Sequence, residues 1–147
     1  MSNYSRLWEN IKNHVINIRD VKYGHFTSSN EDLKVSHRTA QLFILDVFLH
    51  QHREKYGAGV FSLRGRNALN HVILLKYKWP LTTISALSLS DCLFAIQDEL
   101  IPGNLPDAAQ GFLSAVIEKA SQLEFDDLHD EEWNQELGEL FLHAQQP

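Results

Sequence analysis

Eight histidines, one cysteine and two blocks of opposite charge are the residues of this 147-residue chain with the most chemistry to offer. Histidine with carboxylate at helical spacing is the first pattern to test for a metal. Glu139 and His143 stand at i, i+4 and His129 and Glu132 at i, i+3, spacings that place two ligands on one helix face. Neither pair is extended by a His-Glu-x-x-His motif, and a catalytic zinc takes three protein ligands. His50 and His52 are two residues apart on an expected helix, so their rings diverge by roughly 200° and cannot share an ion there. The sequence therefore gives no metal set. Cys92 lies on an apolar stripe beside Asp91, whose charge disfavours a thiolate, and is expected to be a buried, inert thiol. No Gly-x-Ser-x-Gly is present, and Gly57-Ala58-Gly59 lacks the Gly-Lys-Ser/Thr of a phosphate loop. No cofactor motif is found, and the expectation is a non-enzyme.

The charged blocks carry more. From Met1 to Lys78 the chain has 12 Lys and Arg against 6 Asp and Glu; from Trp79 to Pro147 it has a single lysine, Lys119, against 13 acidic residues. The net charge of −6 hides this polarity, which suggests a charged partner or contact between the two halves, in one copy or two. Arg53, Lys55, Arg64, Arg66, Lys76 and Lys78 oppose only Glu54, with Tyr56, Phe61 and Tyr77 interleaved. Such a surface could follow a nucleic-acid backbone, or be a solvated rim paired with the acidic half. Asp126, Asp127, Asp130, Glu131, Glu132, Glu136 and Glu139 on a terminal helix could imitate a row of phosphates toward a basic protein, or be an ordinary solvated face.

The elements that would carry these residues read as helices. Leu7, Ile11, Val15 and Ile18 repeat at helical period, giving a helix over 3–20. Residues 22–35 break the period around Gly24 and a Thr-Ser-Ser-Asn cluster and are expected to be a loop, with Ser36 as cap of a helix over 37–56. Residues 57–66, with three glycines, read as irregular or extended. Leu69–Leu100 is the most continuously apolar stretch and is taken as the centre of the fold, its first helix apolar over so wide an arc that burial on most sides is expected. Pro80 ends that helix and opens a short one; Ser88 caps the next, which stops at Pro102-Gly103. The short pair invites a helix-turn-helix reading, but Asp91 to Leu100 holds no Lys or Arg, and phosphates would repel such a recognition helix. Pro106 opens a helix reaching Leu123, and the last helix is expected to begin near Asp126 or Asp127.

The whole points to one all-α domain over residues 1–147, a helical bundle of five to seven helices. There is no apolar run of membrane-spanning length and no apolar leader after the start, and a lone cysteine suits a reducing compartment, so the cytoplasm is expected. The block Trp79–Leu100 (WPLTTISALSLSDCLFAIQDEL), with the opening and the acidic tail, resembles a family of small, uncharacterised phage-associated proteins of enterobacterial prophages. That resemblance implies an all-helical accessory protein binding a host or phage macromolecule, and assigns no functional residue. The expected role is binding of a protein partner or self-association, including a homodimer, with nucleic-acid binding through 53–78 and an acidic DNA mimic as alternatives.

Overall fold

The computed structural model describes residues 2–21, 28–57, 60–117 and 123–142. The expectations placed at 22–27, 58–59, Lys119, Ala120, His143 and Ala144 lie outside them. Among the described residues there are seven α-helices and no strand: α1 (Asn3–Arg19), α2 (Ser28–Tyr56), α3 (Arg66–Tyr77), α4 (Leu81–Ser85), α5 (Leu89–Ala95), α6 (Asp107–Val116) and α7 (Gln135–Leu142). Short 3-10 turns stand at Gln97–Glu99, Pro102–Asn104 and Asp130–Glu132. The fold is all-α. No helix among the described residues is long and apolar enough to cross a membrane.

The centre of the bundle is α2 rather than the Leu69–Leu100 stretch. Val35, Thr39, Leu42, Asp46 and Leu49 recur at alternating steps of four and three, and all are buried. Ala40, Phe43 and Val47 bury a second arc of the same helix. α1 and α7 pack on α2 and on each other. The helix therefore begins at Ser28, inside the segment expected to be a loop. Val35 in the core lengthens the apolar stripe by more than a turn, while Ser-Asn-Glu-Asp, which reads as loop chemistry, also suits a helix start. The Thr39 hydroxyl is satisfied by the Val35 carbonyl (2.7 Å).

Four aromatic rings lock α1, α2 and α6 together. Phe43, fully buried, stacks on Phe112 with ring centroids 5.3 Å apart and meets Trp8 and Tyr4 edge-on at 5.9 and 5.8 Å. Such geometries add to simple burial.

The central stretch is helix, short helix, helix as its punctuation requires. α3 ends where Lys78 turns left-handed at φ 61° and its N–H bonds the Leu74 carbonyl (2.8 Å). The Ser88 side chain caps α5 by accepting from the Asp91 N–H (3.1 Å). α3 buries Ala68, Leu69, Val72 and Ile73, but Leu75 and Tyr77 reach solvent, so its burial is one-sided. α5 is shorter than expected and passes into the 3-10 turn Gln97–Glu99. At the other end of the chain, residues 123–134 form an extended strap broken by the Asp130–Glu132 turn. α7 thus begins at Gln135, not near Asp126.

Truncation of Phe43 to alanine removes the ring that all three partners touch. The expected loss is about 3–5 kcal/mol of unfolding free energy, read by urea titration, with a smaller loss for Phe112→Ala at its half-buried site.

Candidate functional site: a cleft beside a buried ion cluster

The strap is held against the bundle by charge. Arg19, in the last turn of α1, donates through Nη1 to Asp127 Oδ1 (2.9 Å) and through Nη2 to Glu132 Oε2 (2.7 Å) and the Asp127 carbonyl. Arg38 of α2, only 4% exposed, donates through Nη1 to Glu132 Oε1 (2.7 Å), through Nη2 to the Asp127 carbonyl (3.0 Å) and through Nε to Gln41 Oε1 (2.8 Å). The His129 N–H also donates to Glu132 Oε2 (2.9 Å). Burial would raise the Glu132 pKa, but these hydrogen bonds and the two guanidinium charges outweigh it and hold the group below the ordinary carboxylate range. The Arg19 guanidinium lies over the Phe125 ring, 4.1 Å from its centroid, so the strap is gripped by a face as well as by an anion.

Between this strap, α2 and α5 lies a cleft of about 380 Å³. Its apolar lining is Leu93, Phe94, Leu100, Phe125 and Leu128, and its acidic rim is Glu124, Asp126 and Asp127. Arg38 also lines it, but its donors are occupied by the bonds just described. Phe94 is 79% exposed.

A second cleft of about 420 Å³ lies between α2 and α3. There His52 Nε2 and His71 Nδ1 are 2.8 Å apart, with Tyr56 packed on both rings. The ring centroids are 5.0 Å apart, so the two nitrogens point at one another across a shared proton, not toward a common third point where an ion would sit. Burial first, then the charges of His71, Lys55 and Arg53, lower the His52 pKa to about 4. Among the described residues no group of three or more metal-ligating side chains comes together. Glu132 is taken by the arginines; the His129 ring faces Asp127 instead (3.4 Å).

Asp46 is a buried acid the sequence reading passed over. Its Oδ1 accepts from the Trp133 indole N–H (2.9 Å), and its Oδ2 has no partner among the described residues. A Cβ at Gly138 would come within 3.0 Å of its Cγ, so only glycine lets α7 approach this closely. Burial raises the Asp46 pKa to about 7, against the Trp133 bond and the Arg53 charge. Spacing offered no sign of this, because Trp133 lies far along the chain.

The two charged sets fare differently from a pair of free surfaces. Arg53 donates to the Leu63 carbonyl (2.8 Å) and lies 3.8 Å from Glu139. Arg66 donates to the Leu87 carbonyl (2.8 Å) and to Cys92 Sγ (3.1 Å). Lys76 pairs with Asp98 (2.8 Å) and Glu99 (3.3 Å). Lys55 lies over the Tyr56 ring; the Arg64 and Lys78 side chains are exposed and make no hydrogen bond or ion pair among the described residues. On the acidic side Asp127 and Glu132 serve the ion cluster, Glu139 accepts from the Gly65 N–H (2.8 Å) and Asp130 from the Leu89 N–H (2.9 Å). Asp126, Glu131 and Glu136 remain outward. Only Glu136 and Glu139 of the seven stand on α7, so the row of acids is not one helix face. Cys92 is buried, and burial, opposed by the Arg66 charge, raises its thiol pKa.

No protein-family model, curated protein or solved structure matches this chain.

Replacing Glu132 by glutamine leaves the buried Arg38 and the half-buried Arg19 guanidiniums facing a neutral amide. The expected loss is about 3–5 kcal/mol of stability, measured by urea unfolding. The two perturbed titrations act in opposite directions. Asp46 keeps its proton in the folded state from pH 3.8 to about 7, so its contribution falls as pH rises through that window. His52 resists protonation in the folded state from 6.5 down to about 4, so its contribution falls as pH drops. Over their overlap the two largely cancel. Asp46→Asn should therefore unmask stability that climbs with pH between about 4 and 6.5, and His52→Gln stability that declines, both read as melting temperature against pH.

Proposed function

We propose that this chain is a non-enzymatic interaction protein that receives an apolar segment of a protein partner in the cleft between α2, α5 and the strap. The observation that carries this reading is Phe94, 79% exposed at the lip of a cleft lined by Leu93, Leu100 and Phe125. Burying such a side chain is worth about 1.5–3 kcal/mol, a gain the fold leaves to something else. Aromatic anchors flanked by polar groups are the usual energetic centre of a protein interface. An accessory role of this kind agrees with the resemblance of Trp79–Leu100 to phage-associated proteins.

The nucleic-acid alternative retains Lys55, Arg64 and Lys78, since Arg53, Arg66 and Lys76 already serve intramolecular partners. The acidic-mimic alternative retains Asp126, Glu131 and Glu136, spread over strap, turn and helix.

Phe94→Glu places a charge on the cleft without touching the core. Its melting temperature should stay within a degree or two of the parent, while a partner captured from host-cell extract by the parent protein should be lost. Capture that is unchanged by Phe94→Glu would remove this cleft as the site.

A further inference from the structure

We propose that the segment received in the cleft is residues 60–64 of a second copy of this chain, so that copies join head to tail. The inference rests on the reading of the cleft as a docking site and names its occupant. Val60 is 92% and Phe61 86% exposed, and with Phe94 they are the most exposed large apolar side chains among the described residues. The C-terminal side of this segment is fixed: Arg53 Nε holds the Leu63 carbonyl at 2.8 Å, and the Gly65 N–H is held by Glu139 at 2.8 Å. Its tip therefore projects two adjacent apolar groups with a cation, Arg64, three residues beyond Phe61.

The cleft offers the complement. Leu93, Phe94, Leu100, Phe125 and Leu128 form its apolar lining and Glu124, Asp126 and Asp127 its acidic rim. Apolar tip meets apolar lining, and Arg64 meets the rim. Within one copy the segment is not seated in the cleft, since Val60 and Phe61 both stand exposed. Arg53, which anchors it, and Arg38, which lines the cleft, are fifteen positions apart on α2, about 22 Å along a rigid helix. The contact then joins different copies through two unlike patches, and we take it as head-to-tail addition, in which each end of a chain of copies keeps one free tip or one free cleft. With one small apolar tip per contact, association should be weak and should loosen with salt.

Sedimentation equilibrium tests this. The parent protein should show a weight-average mass above the 16.9 kDa monomer that grows with concentration past the dimer and shrinks in high salt. Phe61→Glu and Phe94→Glu should each be monomeric at the same concentration, with unchanged circular dichroism. Mixed in equal amounts they should form a heterodimer and nothing larger, because one supplies an intact cleft and the other an intact tip. A parent protein that stays monomeric at millimolar concentration overturns the proposal, as does a mixture that stays monomeric. If the parent is monomeric yet Phe94→Glu still abolishes capture of another protein, the second-copy inference falls and the docking cleft stands; if capture is indifferent to Phe94→Glu, the cleft itself falls.

Discussion

The carboxylate of Glu132 is the point on which the last third of the chain depends. It sits between two guanidiniums from different helices, and both of its oxygens are bonded at 2.7 Å. A buried ion pair adds little net stability over an apolar substitute, since desolvation consumes most of the attraction. What it supplies is position. Residues 123–134 have neither a helix nor a continuous apolar stripe to hold them, and many registers of such a strap would bury similar area. Only one register puts Glu132 between Arg19 and Arg38 while Trp133 reaches Asp46. The wall of the cleft follows from that choice.

Much of the charge asymmetry along the sequence is used inside one molecule. The basic first half and acidic last third meet at Arg19–Asp127, Arg38–Glu132 and Arg53–Glu139. The acids also close helix ends that lack their own caps. Gly65, at φ 54°, precedes α3 with no side chain to cap it, and Glu139 and Gln135 of α7 accept from the Gly65 and Arg66 N–H groups. At the start of α5, which Ser88 already caps, Asp130 accepts from the further Leu89 N–H. Carboxylates near helix N-termini are favoured by the aligned backbone dipoles as well as by the bond itself. Of the two candidate sets, what is left at the surface is sparse and divided: Lys55, Arg64 and Lys78 on the basic side, Asp126, Glu131 and Glu136 on the acidic side.

Local signals were readable in the sequence wherever they lay within a few residues of one another. Ser88 as a cap, Pro80 as a break and the stripe Leu7, Ile11, Val15 of α1 act through the backbone next to them. The start of α2 was hidden because Ser28 to Asp32 are mostly turn-forming by type and Val35 is the only apolar residue of the stripe before Ala40 that reaches the core. The strap defeated helical reading for a related reason: Asp126 to Glu132 suit a helix N-terminus by type, yet their carboxylates and backbone are drawn to arginines more than 80 positions away. The His52–His71 and Asp46–Trp133 pairs carry no local signature at all, since each joins two separate helices or a helix and the strap.

The exposure of Phe94 is forced by the helix that bears it. Leu89, Cys92 and Ile96 are the buried residues of this segment, and Phe94 lies two positions from both Cys92 and Ile96, roughly opposite them on the helical wheel. Rotating α5 to bury Phe94 would bring Cys92 out of its contact with Arg66 and undo the Ser88 cap. Nor can Phe94 fold back over its own cleft far enough to close it, because its backbone is set by those anchors. Any small polar residue would serve the fold equally well there. Val60 and Phe61 stand in the same position at the far end of α2, held outward by a backbone clamp that involves neither side chain. In the proposed docking these two apolar sets, which the fold neither uses nor retracts, are what a second surface covers, and the acids around the one set and the arginine beside the other are of matching charge.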